Sequence, residues 1–383
     1  MPKADFLTPV RPEKTLHPQF QILIRSQMFA PGRAMLREVF ADFDDPDGNF
    51  VQQFQTSGFD ARTFELFLCA MFKDAGHAID RRCARPDFTL ERDGHVACVE
   101  AMTANPPSKS GFQPYRHMPS DRLAAGDVPY DQDEVAIRFG GPLFNKLRMW
   151  YWNLPHVAGR PLIFAIQSFH AEGALNISDA PLSNYLYGLS SHWHHDAEGQ
   201  LIITQSPIDT HEFGLKKIPS GFFAQPGAEH VSAVLFSNSG TIPKFNRMGH
   251  QGAYHSDAVR MIRWGTCYYP DPKTSMPDVF LYEVGDPEEG KETWREGTTL
   301  YFNPGALHPL PRCWLGASAE QYLEDRGMVS VFAEPFHPYA STTINFAGDT
   351  PIYLIQKTMD EFVAGIFEKF PILAQRNAAL SER

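Results

Sequence analysis

The chain has 383 residues, 43% hydrophobic and 21% charged, an ordinary globular composition with room for one elaborated domain or two. That composition excludes a disordered chain, and the lack of any apolar run of about eighteen residues argues against a membrane span. A net charge of −11 argues against a protein that coats nucleic acid by charge alone, and leaves room for an enzyme with one local basic groove.

Residues 1–60 read as an N-terminal helical entry segment. It holds the apolar run Phe20 to Arg25 and a helix from Pro31 to Phe43, with proline suited to the first turn and Asp44-Asp45-Pro46-Asp47-Gly48 as the stop. The next helix is predicted over 61–75, with Asp60 as its N-cap and Gly76 just past its end. Short strands follow near 78–82, 87–92 and 95–102, then a Pro-, Ser- and Gly-rich loop over 104–130, then a helix over about 133–152. The run 160–169 is too continuously apolar to have a wet face and reads as a buried strand. The order over 61–175 is thus helix, three strands, helix, strand, and the expected class is mixed α/β. Beyond it, short β runs at 200–205, 230–237, 279–284, 298–302, 328–333 and 342–346 and a last helix over about 352–369 suggest a β-rich extension, 176–383, packed on this core.

Five scattered cysteines (Cys69, Cys83, Cys98, Cys267 and Cys313) form no CxxC pair, so no structural zinc site is expected. The N-terminus lacks the apolar core of a secretory signal, and the expected location is a reducing cytoplasm.

The chemistry concentrates in the segment from Pro86 to Glu100. Asp93-Gly94 between two alternating runs signals a two-residue hairpin in which Arg92 faces His95. Asp87 then falls opposite Glu100 on one face, with Cβ atoms roughly 4.5–5.5 Å apart. On the other face Phe88 meets Val99 and Leu90 meets Ala97, all apolar, as a core face requires. Two facing carboxylates repel unless one is protonated or a cation lies between them. Glu100 stands among Val96, Ala97, Cys98, Val99, Ala101 and Met102, so it lies deep and calls for a compensating partner such as Mg²⁺.

Glu65 shows the same anomaly on the preceding helix, where Ala61, Leu68, Cys69 and Phe72 surround it. Lys146 repeats it with opposite sign among Pro142, Leu143, Met149 and Trp150. The bland alternative is a buried ion-pair network without chemistry; four such anomalies in one set of elements favour a metal-centred site.

An acid on a helix, Pro86-Asp87 on a strand and Glu100 flanked by apolar residues on the next resemble the PD-(D/E)xK, or restriction-endonuclease-like, nuclease superfamily over about 60–170. The resemblance implies an αβββαβ core, Mg²⁺ (or Mn²⁺) bound by Asp87 and Glu100 with Glu65 completing the metal shell, and cleavage of nucleic acid, DNA above RNA. A role in defence against foreign DNA also goes with it. The family's usual lysine, two residues after the second acid, is Met102 here; Lys146, on the following helix, is the candidate replacement. Gln167 could orient water or Lys146. Lys109, Arg116, Lys244 and Arg247 are candidate substrate contacts, and the β-rich extension could shape the groove or a homodimer interface.

Two rivals stand beside this reading. One is a catalytically silent PD-(D/E)xK-fold binding or regulatory module, which Met102 favours. The other is a metal hydrolase or oxygenase using His192, His194, His195 or His211 of the β-rich half, against which stands the divergence of adjacent side chains.

Overall fold

Phenylalanines crowd the N-terminal sixty residues, and their mutual burial builds helices there. In the computed structural model, which describes residues 5–106, 131–171, 173–271, 273–325 and 327–369, these are α1 (Pro18–Arg25), α2 (Ala30–Ala41) and α3 (Phe50–Gln55). Phe6 stacked on Phe40 at 4.2 Å and Phe43 tilted against Phe50 at 4.6 Å tie them into the main core. The entry segment is therefore a packed part of that core. Next comes α4 (Phe59–Asp74), in which every residue from Thr63 to Phe72 is buried. Gly58 occupies its N-cap, and Asp60 sits in the first turn, where a negative charge meets the helix dipole.

The strands β1 (Ala78–Asp80), β2 (Phe88–Arg92) and β3 (His95–Ala104) follow, then α5 (Gln132–Leu147), capped by the Asp131 carboxylate, and β4 (Leu162–Ser168). The second half adds α6 (Ala180–Tyr187), the hairpins β5 (Leu189–His195) with β6 (Leu201–Pro207) and β7 (Thr210–Phe213) with β8 (Lys216–Pro219), and β9 (Ala233–Ser237). It continues with α7 (Ile242–His250), β10 (Val259–Cys267), β11 (Asp278–Glu283), β12 (Thr298–Phe302), β13 (Ala319–Glu324), β14 (Gly327–Phe332), β15 (Pro338–Ala347) and α8 (Ile352–Lys369).

Eight strands join in one mixed sheet of order β1-β2-β3-β4-β9-β12-β13-β14. The first three are antiparallel, and β3, β4 and β9 run parallel. One face packs on α4 and the N-terminal helices, the other on α5 and α6, so the class is mixed α/β in three layers. The expected boundary near 175 does not divide this sheet: β9 pairs with β4 and satisfies the backbone groups of what would otherwise be an open edge. A second sheet, β11-β10-β15, is covered by α8 through Trp264, Phe362 and Ile366. Among the described residues no helix is long and apolar enough to cross a membrane.

Candidate functional site

Asp93 and Gly94 take left-handed φ values of 52° and 76°, the geometry a tight two-residue hairpin needs. The ladder pairs Phe88 with Val99, Leu90 with Ala97 and Arg92 with His95. Phe88, Leu90, Ala97 and Val99 face the core beneath α4, and β3 sends its alternate residues Cys98 and Met102 to the α5 face. Glu100 belongs to that second set. Asp87, one residue before β2, accepts the Ala101 N–H on its Oδ2 at 2.7 Å.

Glu100 is 3% exposed, and its two oxygens have different fates. Oε1 accepts from the Lys146 ammonium, in the last turn of α5, and from the Tyr151 hydroxyl at 2.8 Å. Oε2 is buried with no hydrogen-bond partner among the described residues. Burial, then the charge of Asp87, raises this carboxyl from 4.5 to about 7, against the opposing pull of Lys146 and Tyr151. The Tyr151 phenol is itself pushed far up by burial and by Glu100, which keeps it a donor. Sequence reading passed over Tyr151; its one signal is its place in the aromatic run that follows Lys146.

Glu65 points into the protein as expected, but its oxygens are taken. Oε1 accepts from Arg62 at 2.5 Å and Oε2 from Arg81 at 3.0 Å, while the Arg81 guanidinium lies 3.9 Å from the Phe43 ring and 4.5 Å from that of Phe88. Burial and Asp87 raise Glu65 to about 7 against these two arginines. Asp87 thus acts on both glutamates, yet Glu65 serves an ion-pair network, which corrects its expected place as a metal ligand. Among the described residues no group of three or more His, Cys, Asp or Glu is arranged to hold a metal ion. Asp87 and Glu100 remain as a pair, and the buried Oε2 beside Asp87 is the feature a hard cation fits.

The outlying candidates separate from this pair. Strand pairing aligns Glu100 with Phe164 and Thr103 with Gln167, so Gln167 projects from the opposite face of the sheet. Its amide donates to the Gly240 carbonyl at 3.3 Å and has no route to Lys146. Lys244 and Arg247, expected on a substrate-facing turn, lie on α7 and are buried. Lys244 donates to Glu292 at 2.7 Å and Arg247 holds the same carboxylate through two nitrogens, at 2.7 and 2.8 Å, so neither can meet a substrate. Lys109 and Arg116 lie outside the described residues.

The histidines do not converge either. His192, His194 and His195 lie exposed along β5, where the last two face opposite sides, and His195 is hydrogen-bonded to the Lys273 carbonyl at 2.7 Å. His211 is buried on another hairpin between Asp133 at 2.8 Å and Ser220 at 2.9 Å.

Compared with protein-family models, with curated proteins and with solved structures, the chain finds no match.

Proposed function

We propose that this protein is a divalent-metal-dependent nuclease that hydrolyses phosphodiester bonds, with DNA as the preferred substrate by its resemblance to the PD-(D/E)xK superfamily. One observation carries the reading: among the described residues Glu100 Oε2 lies buried and unpartnered beside Asp87, while Lys146 and Tyr151 occupy the other oxygen. The element order around it, α4, β1, β2, β3, α5, β4, is the αβββαβ order that the resemblance implies and so supports this reading.

Asp87 and Glu100 would hold Mg²⁺ or Mn²⁺, both of which take carboxylate oxygens. Such an ion, when bound, supplies a water of lowered pKa and offsets the charge that grows on phosphate oxygens. The chain's own groups prepare the site. The Ala101 N–H fixes one Asp87 oxygen, and Tyr151 fixes the direction of the Glu100 carboxylate. Lys146 places an ammonium beside the acid pair, where it can orient water and stabilise an anionic transition state. Arg62 and Arg81 hold Glu65 behind them, a positioning part rather than a ligand.

The test is incubation with linear, circular and single-stranded DNA and with RNA, in Mg²⁺ or Mn²⁺, alongside Asp87→Ala and Lys146→Met. Wild type should cleave at least one substrate, and each variant should lose about a hundredfold or more in rate while staying folded. Full activity in Lys146→Met removes that residue from the mechanism. Failure of wild type on every substrate sinks the nuclease reading. The silent binding module would then stand, as Met102, buried where the family usually has its lysine, already favours.

A further inference from the structure

The turn that links Lys146 to Tyr151 is pinned at both ends on one atom, Glu100 Oε1. Its amides are tied back into the helix end, Met149 N–H to the Lys146 carbonyl at 3.0 Å and Trp150 N–H to the Leu147 carbonyl at 3.3 Å. Between those pins Leu147 goes into the core, while Arg148, Met149 and Trp150 turn outward. Trp150 is 60% exposed, Met149 50% and Phe144, on the last turns of α5, 44%. Trp150 sits at φ 49°, ψ 48°, a left-handed conformation that bulky side chains rarely adopt and that recurs at functional sites. Tyr151 goes inward to Glu100, and the residue before it is held outward.

The charge around this turn runs against the rest of the chain. Residues 135–160 carry no Asp or Glu; Arg138 is paired with Glu134 and Lys146 with Glu100, so the positive charge left for the surface comes from Arg148 and the half-buried Arg160, in a protein of net charge −11. Arg148 and, on the loop leading into Asp87, Arg85 are exposed. The acids at the start of α5, Asp131, Asp133 and Glu134, lie at the far end of that helix, roughly 20 Å from the turn. An exposed indole flanked by exposed arginines is the combination that binds polyanions bearing flat rings.

We propose that Trp150, backed by Met149 and Phe144, is a stacking platform for unpaired bases of single-stranded nucleic acid, whose phosphates meet Arg148 and Arg85. This rests on the nuclease reading for the identity of the site and deepens it by naming the substrate form. Single strands follow from the chemistry: within a duplex both faces of every interior base are already stacked, so away from the duplex ends an indole finds a free face only on an unpaired base.

The test is fluorescence anisotropy of a fluorescein-labelled single-stranded oligodeoxynucleotide and of its blunt duplex, with chelator present so that nothing is cut. Trp150→Ala should weaken single-strand binding about tenfold or more, Trp150→Phe should retain most of it, and duplex binding should change less than about twofold. Because the indole is exposed, neither variant removes core packing. An unchanged single-strand affinity in Trp150→Ala, or an equal loss on duplex, overturns the proposal. So does sedimentation showing that Trp150→Ala converts a dimer to a monomer, since the patch would then belong to a second copy of the chain. Cleavage by wild type with no effect of Trp150→Ala on binding sinks the platform alone. Trp150-dependent single-strand binding without any cleavage sinks the nuclease reading alone.

Discussion

At the scale of single residues the protein turns on where one carboxylate keeps its proton. Glu100 has an ordinary value of 4.5 and is raised to about 7 in the fold, by burial first and Asp87 second. Between those values the native state binds a proton that the unfolded chain has released, so stability falls as pH rises from about 4.5 to about 7 and is level above it. The loss is on the order of 3 kcal/mol for a shift of this size. Glu65, raised for the same reasons, works in the same direction. Glu100→Gln removes one of the titrating groups, so thermal melts at pH 5 and pH 8 should differ less in this variant than in wild type. An equal pH dependence in both would show that Glu100 is not the group responsible. In wild type at pH 8, Mg²⁺ should recover part of the loss, because a ligand of the native state stabilises it by mass action.

At the scale of elements, the β2–β3 hairpin sets the distance between the two acids, and its turn sets the hairpin. Gly94 has φ 76°, and a Cβ built there would meet nothing within 4 Å. Replacing it with alanine therefore tests backbone conformation without a clash against neighbouring elements. Gly94→Ala should cost about 1–2 kcal/mol in urea denaturation, the penalty for a side chain in left-handed backbone. It should also lower any metal-induced stabilisation, because a slip by one residue would carry Glu100 to the other face. A stability equal to wild type would mean that the register is held by strand pairing alone. This hairpin was legible because its evidence is local: a turn dipeptide, a period of two and apolar pairs that agree. Strands β5 and β10 were not. The first is exposed and His-rich, and the second carries Arg260 and Arg263 in its run, so neither shows an apolar alternation.

At the scale of the whole molecule, a buried charge network joins the second sheet, through β10, to α7 and to the segment leading into β12. Lys244, Arg247 and Arg263 surround Glu292, and Arg263 also reaches Glu296 at 2.8 Å. Burial alone would raise Glu292, but the three cations together hold it well below its ordinary range. Burial pushes Lys244 down to about 8, against the pull of Glu292 and Glu296. Glu292→Gln keeps the shape, takes the paired carboxylate from Lys244 and Arg247 and leaves Arg263 with Glu296 alone, so it should destabilise by about 3–5 kcal/mol in chemical denaturation. A loss under about 1 kcal/mol would mean that water or Glu296 takes over the role. The network explains why Lys244 and Arg247 misled the sequence reading. Basic residues near glycines look like a surface turn until the acid that buries them, more than forty residues away, is in place.

What the sequence by itself determined is what depends on neighbours along the chain. The hairpin register, the helix bearing Glu65, the helix bearing Lys146 and the burial of Glu100 all follow from periodicity and turn chemistry within a few dozen residues. Tertiary structure decided what each charge is for and how deep it lies. Glu65 and Glu100 are buried, whereas Lys146 is 31% exposed, because its helix ends at Leu147, and Met149 and Trp150 lie beyond it at the surface. Glu65 and Lys146 showed the same anomaly, a charge on an apolar face, yet Arg81 closes over Glu65 while Lys146 arrives at Glu100. A charge on an apolar face tells only that a partner must exist, because an unpaired buried ion costs several kcal/mol. Which partner it meets depends on long-range packing of strands and helices, and no local pattern encodes that.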